Sequence, residues 1–308
     1  MVERDLVVVG GGPAGLSAAT VAAGDGWSVS VVDAEGGGGR LYKLEDVYEY
    51  PHVGAAMAGP DLGGDLVDAA VVVGVDVVFD RVRSVAPSST ASSWIVECDG
   101  EPLLASAVVF ATGQADAVLG LPDEDDLRGR GLSYCASCDG MLFAGKRVAV
   151  IGAGNWSVDE ALQLSRHAAQ TTLVCPEPVL ASTRARRLRL ASADIKVIEG
   201  ATVTALVRRD GKLAGIEISS STGPSRLDVD GLFPLYAMAP AIDAAPTDVV
   251  AGDVRRIVVN GDGATAAPGL FAAGDVTDAW DGFVSEAIAE GVRAGTAASV
   301  YLQRAASS

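Results

Sequence analysis

Two cysteines, Cys135 and Cys138, stand two residues apart in "YCASCDG" (134–140). That spacing lets the sulfurs meet across one helical turn, and a helix starting there lowers a thiol's pKa. The chemistry it suits is reversible dithiol–disulfide exchange. Asp139 follows directly, and it could move protons if burial raises its pKa, or simply cap a helix. A structural zinc site needs four ligands. Beyond the pair, the chain offers only Cys98, Cys175, His52 and His167, none at ligand spacing. Two inert buried thiols are the remaining alternative to a redox pair.

A second candidate is Gly10-Gly11-Gly12-Pro13-Ala14-Gly15. Gly10, Gly12 and Gly15 fit G-x-G-x-x-G. In that pattern the first glycine permits a tight turn, the second admits a pyrophosphate, and the third lets helix and strand pack closely. The N–H groups at a helix start, including those of Pro13's neighbours Ala14 and Gly15, then favour an anion. An acid about twenty residues on accepts from a ribose hydroxyl. Asp33 stands there, with Glu35 close behind. Plain tight turns also use glycine, but strand, turn, helix, strand and acid all occur here in order.

The elements that must hold these residues show in the hydrophobic pattern. "DLVVVG" (5–10) reads as a buried parallel strand, the glycine segment as turn and helix, and "WSVSVVD" (27–33) as the next strand. "ASAVVFATG" (105–113) is another strand ending in a turn. The βαβ pattern returns as "KRVAVIG", "AGNWSVDEALQLSRHA" and "TTLVC" (146–175), directly after the cysteine pair. Further strands are expected over 203–208, 213–218 and 254–259, a hairpin loop over 86–93, and a long helix over 283–306 with small and apolar residues every three to four. The fold class is therefore α/β, with two Rossmann-like, doubly wound, three-layer domains.

With 308 residues, 49% hydrophobic and 20% charged, the chain has room for two domains with real cores. No apolar run reaches the roughly 18–20 residues of a membrane span, and the N-terminus is too polar for a secretory signal. The expected location is cytoplasmic, where one C-x-x-C reads as redox or metal chemistry. A formal net charge of -17 argues against nucleic acid or a membrane surface as partner.

Together, Gly10–Gly15, "GGGGRL" (36–41), "YEYP" (48–51), "FATG" (110–113), "YCASCDG", "VAVIGAGN" (148–155) and "GLFAAGDV" (269–276) resemble the low-molecular-weight thioredoxin reductase family of flavoproteins. The resemblance implies a homodimer. It implies a discontinuous FAD-binding domain (1–114 and 246–308) and an inserted NAD(P)-type domain (115–245) carrying the cysteines. By resemblance, Cys138 lies against the flavin, Cys135 exchanges with a partner disulfide, and Asp139 is the acid–base residue. Asp275, beside Gly274, matches the residue that binds the ribityl chain. Gly39, Arg40 and Leu41 match positions beside the flavin, with Arg40 where glutamine is usual. Val82, Ala111, Thr112 and Gly113 fall at further flavin-binding positions. So do Glu49, where asparagine is common, and Glu286 and Ala287, within "SEA" where R-Q-A is usual.

The inserted domain departs further. The family's H-R-R-x-x-x-R, whose cations hold the 2′-phosphate of NADPH, is replaced by Cys175, Pro176, Glu177 and Ala181. Each lost charge-assisted hydrogen bond costs roughly 1.5–3 kcal/mol, so NADPH is doubtful as a cofactor. Trp156 puts a large side chain near the second glycine turn, and "YAMAPAID" (236–243) replaces a G-H-x-P-N-like segment. The expected function is an FAD-dependent disulfide oxidoreductase. Its disulfide substrate would be thioredoxin or a relative, and its donor reduced ferredoxin or a deazaflavin. Alternatives are an NADH-linked enzyme, which Glu177 suits as a ribose acceptor, a dithiol oxidase using oxygen, or a non-enzymatic redox sensor. Arg184, Arg186, Arg187 and Arg189 form the densest basic run, suited to an acidic ferredoxin, a phosphate-bearing cofactor, or plain solvation.

Overall fold

The computed structural model describes residues 1–47, 50, 57–89, 93–116, 118–236, 238–253, 255–279 and 283–307. The chain folds as two compact units, Met1–Ala115 with Pro240–Ser308, and Asp116–Ala239. The first unit opens with β1 (Val2–Val9), α1 (Pro13–Gly24), β2 (Val29–Asp33), α2 (Gly59–Val72), β3 (Asp76–Phe79), β4 (Val82–Pro87), β5 (Trp94–Cys98) and β6 (Leu103–Phe110). The second begins with α3 (Glu124–Leu127), α4 (Ala136–Asp139), β7 (Arg147–Ile151), α5 (Asn155–Ser165), β8 (Gln170–Cys175) and α6 (Arg184–Ser192). It continues with β9 (Lys196–Glu199), β10 (Ala201–Arg209), β11 (Lys212–Ser220), β12 (Gly223–Leu227) and β13 (Gly231–Pro234). The chain then returns to the first unit for β14 (Val250–Ala251), β15 (Arg256–Ile257), β16 (Leu270–Ala272) and α7 (Val284–Ala306).

The first unit is built on one sheet in the order β3-β2-β1-β6-β5-β4, with β16 also paired to β6. β1 is parallel to both neighbours. Its apolar run is continuous because both faces are covered. Leu6 and Val8 join a core shared with α1 and α7, and Val7 and Val9 join one with Phe110, Val249 and Val276. β1 starts earlier than its apolar run because Val2, Glu3 and Arg4 stay in register with Leu103, Leu104 and Ala105. β4 and β5 form the antiparallel hairpin expected around 86–93, with Pro87 opposite Trp94.

α7 buries Glu290, Gly291, Ala294, Gly295, Ala298 and Leu302, one stripe of a long amphipathic helix. Gly291 and Gly295 let it lie against α1. A Cβ at Gly291 would sit 2.1 Å from the Ala14 carbonyl oxygen, and one at Gly295 would sit 2.5 Å from that of Ala18. The strand expected over 254–259 shortens to Arg256–Ile257, and residue 254 lies outside the described residues.

The second unit has a parallel sheet in the order β13-β7-β8-β9 and an antiparallel sheet β10-β11-β12. Val148 and Val150 of β7 pack with α5, while Ala149 and Ile151 face the core shared with β10 and β11. β8 ends with Cys175 opposite Glu199 of β9. Among the described residues no helix is long and apolar enough to cross a membrane.

Candidate active site

The first glycine turn runs from β1 into α1, whose N-cap is Gly12. Its three fingerprint glycines exist for different reasons. Gly10 has φ +101° and a Cβ there would sit 2.4 Å from the Ala111 carbonyl oxygen. A Cβ at Gly15 would sit 1.9 Å from the Gly10 carbonyl oxygen. The fold itself therefore needs these two. A Cβ at Gly12 would meet nothing within 4 Å. That open face at a helix N-terminus is the gap a pyrophosphate fills, and it is the observation by which a flavin dinucleotide fits this unit.

Asp33 does not wait for a ligand alone. Its Oδ2 accepts from the Gly11 amide at 2.6 Å, and its Oδ1 from those of Glu35 at 2.7 Å and Gly37 at 3.2 Å. It ties the end of β2 to the glycine turn and shapes the loop that follows. Gly36, Gly37, Gly38 and Gly39 all have positive φ, which accounts for the glycine run. A Cβ at Gly39 would lie 2.9 Å from Gly12 Cα, so the second loop packs against the first.

The remaining first-unit candidates gather around this turn in part. Arg40 Nη1 donates to Gln114 Oε1 at 3.2 Å, and Leu41 is fully buried. Thr112 donates to the Ala241 carbonyl at 2.5 Å, and the Gly113 carbonyl accepts the Ala241 amide. Gly274 has φ +78° and packs on Ala14, where a Cβ would approach the Ala14 Cβ to 2.9 Å. The Asp275 carbonyl accepts from Arg256 at 2.6 Å. Glu286 and Ala287 lie half-buried in the first turn of α7. Val82 opens β4 at the edge of the sheet. Glu49 lies outside the described residues. Glu290 was not anticipated. It is buried in α7 and its Oε2 accepts the Gly274 amide at 2.6 Å, pinning the corner that carries Asp275. Burial pushes its carboxyl group above the usual 4.5.

In the second unit Cys135 and Cys138 are joined as a disulfide, with Cα atoms 5.3 Å apart. Cys135 is the N-cap of α4, and its Sγ accepts the Cys138 amide at 3.1 Å. Ser137 Oγ lies 3.2 Å from the same sulfur. Cys135 is only 8% exposed, whereas Cys138 is exposed. Asp139 is half-buried, and Ser133 donates its hydroxyl to Asp139 Oδ2 at 2.7 Å while accepting the Cys135 amide at 3.2 Å. Tyr134 donates to Glu124 at 2.8 Å, and burial followed by this bond pushes its phenol up. Met141 and Leu142, just beyond the pair, are 65% and 67% exposed.

The second glycine turn keeps half of the pattern's logic. A Cβ at Gly152 would lie 2.1 Å from Ser157 Cβ, so the helix needs that glycine, while one at Gly154 would meet nothing within 4 Å. The loop after β8 folds onto the turn. The Ala181 amide donates to the Ala153 carbonyl at 2.8 Å, and Asn155 Oδ1 accepts from Ser182 and Thr183. Glu177 at the end of β8 accepts the hydroxyl of Tyr236 at 2.5 Å, and this bond is the main cause of that phenol's upward shift. Cys175 is buried, which raises its thiol, and it donates to the Glu177 carbonyl.

The basic run on α6 is partly spent inside the unit. Arg186 pairs with Asp159 at 2.8 Å, and Arg187 donates to the Leu180 carbonyl and pairs with Glu199. Arg184 and Arg189 are exposed. Sequence reasoning missed Ser133, Glu160, Tyr236 and Glu290 as contributors. Only Glu160 carried a signal, one helical turn after Trp156, to which it is bonded.

The chain matches the family described as pyridine nucleotide-disulphide oxidoreductase over residues 4–295. It is 33% identical over 305 residues to the F component of Pseudomonas putida alkyl hydroperoxide reductase, covering 97% of this chain and 58% of that protein. The chain thus spans little more than half the length of that relative. It is 29% identical over 302 residues to thioredoxin reductase of Treponema pallidum (strain Nichols), with 97% of each chain covered. Among solved structures, T. acidophilum thioredoxin reductase aligns over 100% of both chains at 29% identity with a TM-score of 0.90.

Proposed function

The chain belongs to the pyridine nucleotide-disulphide oxidoreductase family, and from that membership we propose that it is a thioredoxin reductase-like enzyme that holds FAD in its first unit and reduces a partner disulfide through Cys135 and Cys138. The observation that carries the reading is the closed Cys135–Cys138 disulfide at the head of α4, with Asp139 bonded beside it to Ser133. A bound flavin supplies two-electron redox chemistry to such a pair. The residues that would hold it are the Gly10–Gly15 turn, Asp33, the loop from Glu35 to Leu41, Ala111–Gly113, Gly274 and Asp275, and the start of α7 at Glu286 and Ala287.

In the reduced pair, Cys135 is the attacking sulfur. Its Sγ accepts an amide hydrogen bond and lies against the Ser137 hydroxyl, and both favour a thiolate. It attacks one sulfur of the partner disulfide, breaking that bond and forming a mixed disulfide. The released partner thiolate takes a proton, for which Asp139 is the proposed donor. Cys138 then gives up its thiol proton and attacks the Cys135 sulfur, closing the intramolecular disulfide and releasing the second partner thiolate, which takes up that proton. Two electrons leave the cysteine pair and two enter the partner. Exposed Met141 and Leu142 offer that partner an apolar foothold beside the sulfurs. Thioredoxin or a related dithiol protein is the proposed partner, and a homodimer the proposed assembly.

The donor we propose is reduced ferredoxin or a reduced deazaflavin rather than NADPH. Glu177 lies two residues beyond β8, where by resemblance the family's cations stand, and Tyr236 holds it there. Arg186 and Arg187 are committed to Asp159 and Glu199. One observation favours NADH as a second reading: Gly154 leaves an open face at the start of α5, and Glu177 suits a ribose without a 2′-phosphate. Anaerobic stopped-flow mixing with NADPH, NADH, reduced ferredoxin, reduced deazaflavin and dithiols separates these ideas. Rapid bleaching of the yellow protein by micromolar NADPH sinks the donor proposal, and bleaching by NADH alone selects the second reading. Dithiol bleaching with peroxide on aeration points to an oxidase. No turnover with any pair points to a sensor.

A further inference from the structure

Ser133 is a buried hydroxyl, 5% exposed, just ahead of the cysteine helix. Its Oγ donates to Asp139 Oδ2 at 2.7 Å and accepts the Cys135 amide at 3.2 Å. The Cys135 carbonyl oxygen lies 3.3 Å from the same oxygen. A hydroxyl has one hydrogen to give, and the shorter contact, to the carboxyl oxygen, is the one that takes it. Ser133 is itself fixed from outside the cysteine helix. Its amide donates to the Leu232 carbonyl at 3.0 Å, and its neighbour Leu132, fully buried, is bridged to Leu232 of β13. α4 is a single turn, Ala136–Asp139, closed by the Asp139 amide on the Cys135 carbonyl at 3.1 Å. Cys135 at its head and Asp139 at its tail are therefore tied to one oxygen, and that oxygen is fastened to β13.

We infer that Ser133 is a positioning residue for the acid of the pair: it takes Asp139 Oδ2, leaves Oδ1 to carry the proton, and fixes that carboxyl group relative to the main chain of Cys135. The inference rests on the proposed redox role of Cys135 and Cys138 and on Asp139 as the proton donor. Cys135 attacks a partner sulfur, the partner's S–S bond breaks, and the electron pair of that bond stays on the departing sulfur. A proton passes from Oδ1 to that sulfur, giving a thiol and a carboxylate, and water later returns a proton to Asp139. The Ser133 hydrogen does not move. Its bond passes from a neutral to a charged acceptor, and such bonds are roughly twice as strong. Ser133 therefore contributes only where the leaving sulfur needs a proton. A leaving group that is stable as a thiolate departs quickly without one, and for it Asp139 and its tether are idle. A serine that merely held the fold or the Cys135 amide would affect both kinds of disulfide alike.

The test compares two disulfides, mixed anaerobically with the prereduced, FAD-loaded full chain. Hydroxyethyl disulfide releases an alkyl thiolate that needs a proton at neutral pH. Dithiobis(nitrobenzoate) releases an aromatic thiolate that does not. General acids contribute about 10²–10⁴-fold, so Ser133→Ala, which keeps Asp139 but loosens it, should slow hydroxyethyl disulfide about tenfold and dithiobis(nitrobenzoate) by less than about twofold. Asp139→Asn should show the same selectivity with a larger loss. Slowing that does not depend on the disulfide, or no slowing, overturns the inference. If Ser133→Ala does not fold, Ser133→Gly is judged by the same two rates, since it removes the same hydroxyl and leaves room for water at the Cys135 amide. An Asp139→Asn protein without selectivity removes the acid, and the inference with it, while disulfide reduction stands. Failure of the underlying reading looks different: the wild-type dithiol then reduces neither disulfide.

Discussion

Replacing Gly12 and Gly15 one at a time by alanine tests whether the first glycine turn is a cofactor cradle or only a tight corner. At Gly15 the new Cβ would lie 1.9 Å from the Gly10 carbonyl oxygen, a backbone atom with no rotamer to yield. Van der Waals partners settle near ~3.5 Å, so turn and helix must part by roughly 1.5 Å. Overpacking of that kind costs about 1–3 kcal/mol or more. In a unit of this size each kcal/mol lowers the melting temperature by roughly 2–4 °C. The expected loss in the flavin-free protein is therefore about 2–12 °C.

At Gly12 the outcome reverses. Its φ of -75° and ψ of -175° suit alanine, and the Cβ would meet nothing within 4 Å. The flavin-free variant should melt with the wild type or slightly above it, since an alanine fixed in an allowed conformation gains about 0.4–1 kcal/mol through the unfolded chain. Its FAD affinity should fall at least tenfold, because the methyl group occupies the approach to α1. Differential scanning fluorimetry of flavin-free protein and a fluorescence titration with FAD measure the two effects. Wild-type FAD affinity in Gly12→Ala would falsify the cradle. A Gly15→Ala protein as stable as wild type would refute the packing argument.

Further outcomes follow from single residues. Cys138→Ser should keep FAD but trap a mixed disulfide between Cys135 and an oxidised thioredoxin, seen on non-reducing gels; trapping by Cys135→Ser instead would reverse the two roles. The carboxyl group of Glu290 is raised above 4.5 by burial, so the folded state holds more protons there than the unfolded state and stability falls as pH rises through the raised value. The melting temperature of Glu290→Gln relative to wild type should therefore increase as pH is raised from the ordinary 4.5 through the raised value, and a constant difference contradicts this. The Cys98 thiol is pushed up to about 11, first by burial and then by nearby acids. Brief alkylation at pH 7.5 should label it poorly before reduction, and reduction should expose two fast thiols, countable by mass spectrometry.

Where structure depends on local spacing, the sequence was legible. The βαβ units and the C-x-x-C pair are local patterns, and each lies in the element expected of it. What could not be read depends on distant partners. Arg186 and Arg187 counted as a basic patch, yet Asp159 and Glu199 neutralise them from other elements. The bond between Glu177 and Tyr236 joins residues 59 apart in the chain. Asp33 stands where a ribose acceptor belongs, but its backbone duties appear only once the Gly11 and Gly37 amides are placed around it. The three fingerprint glycines look alike in sequence, and only the folded turn separates the two that the fold needs from the one left open.

The packing of α7 on α1 has a consequence for how the molecule is made. The turn that begins α1 leaves the ribosome long before Gly291 and Gly295, which receive its backbone. β6 likewise waits for β16, its partner from Leu270 to Ala272. Between Ala115 and Gly291 translation at about 5–20 residues per second takes roughly 10–35 s. During that time the contiguous unit Asp116–Ala239 has every strand of its own sheets and can close alone. The discontinuous unit stays open with a bare strand edge. Completion of the first unit then waits for α7, and a ribosome stalled before α7 leaves a folded second unit attached to an unfinished first one.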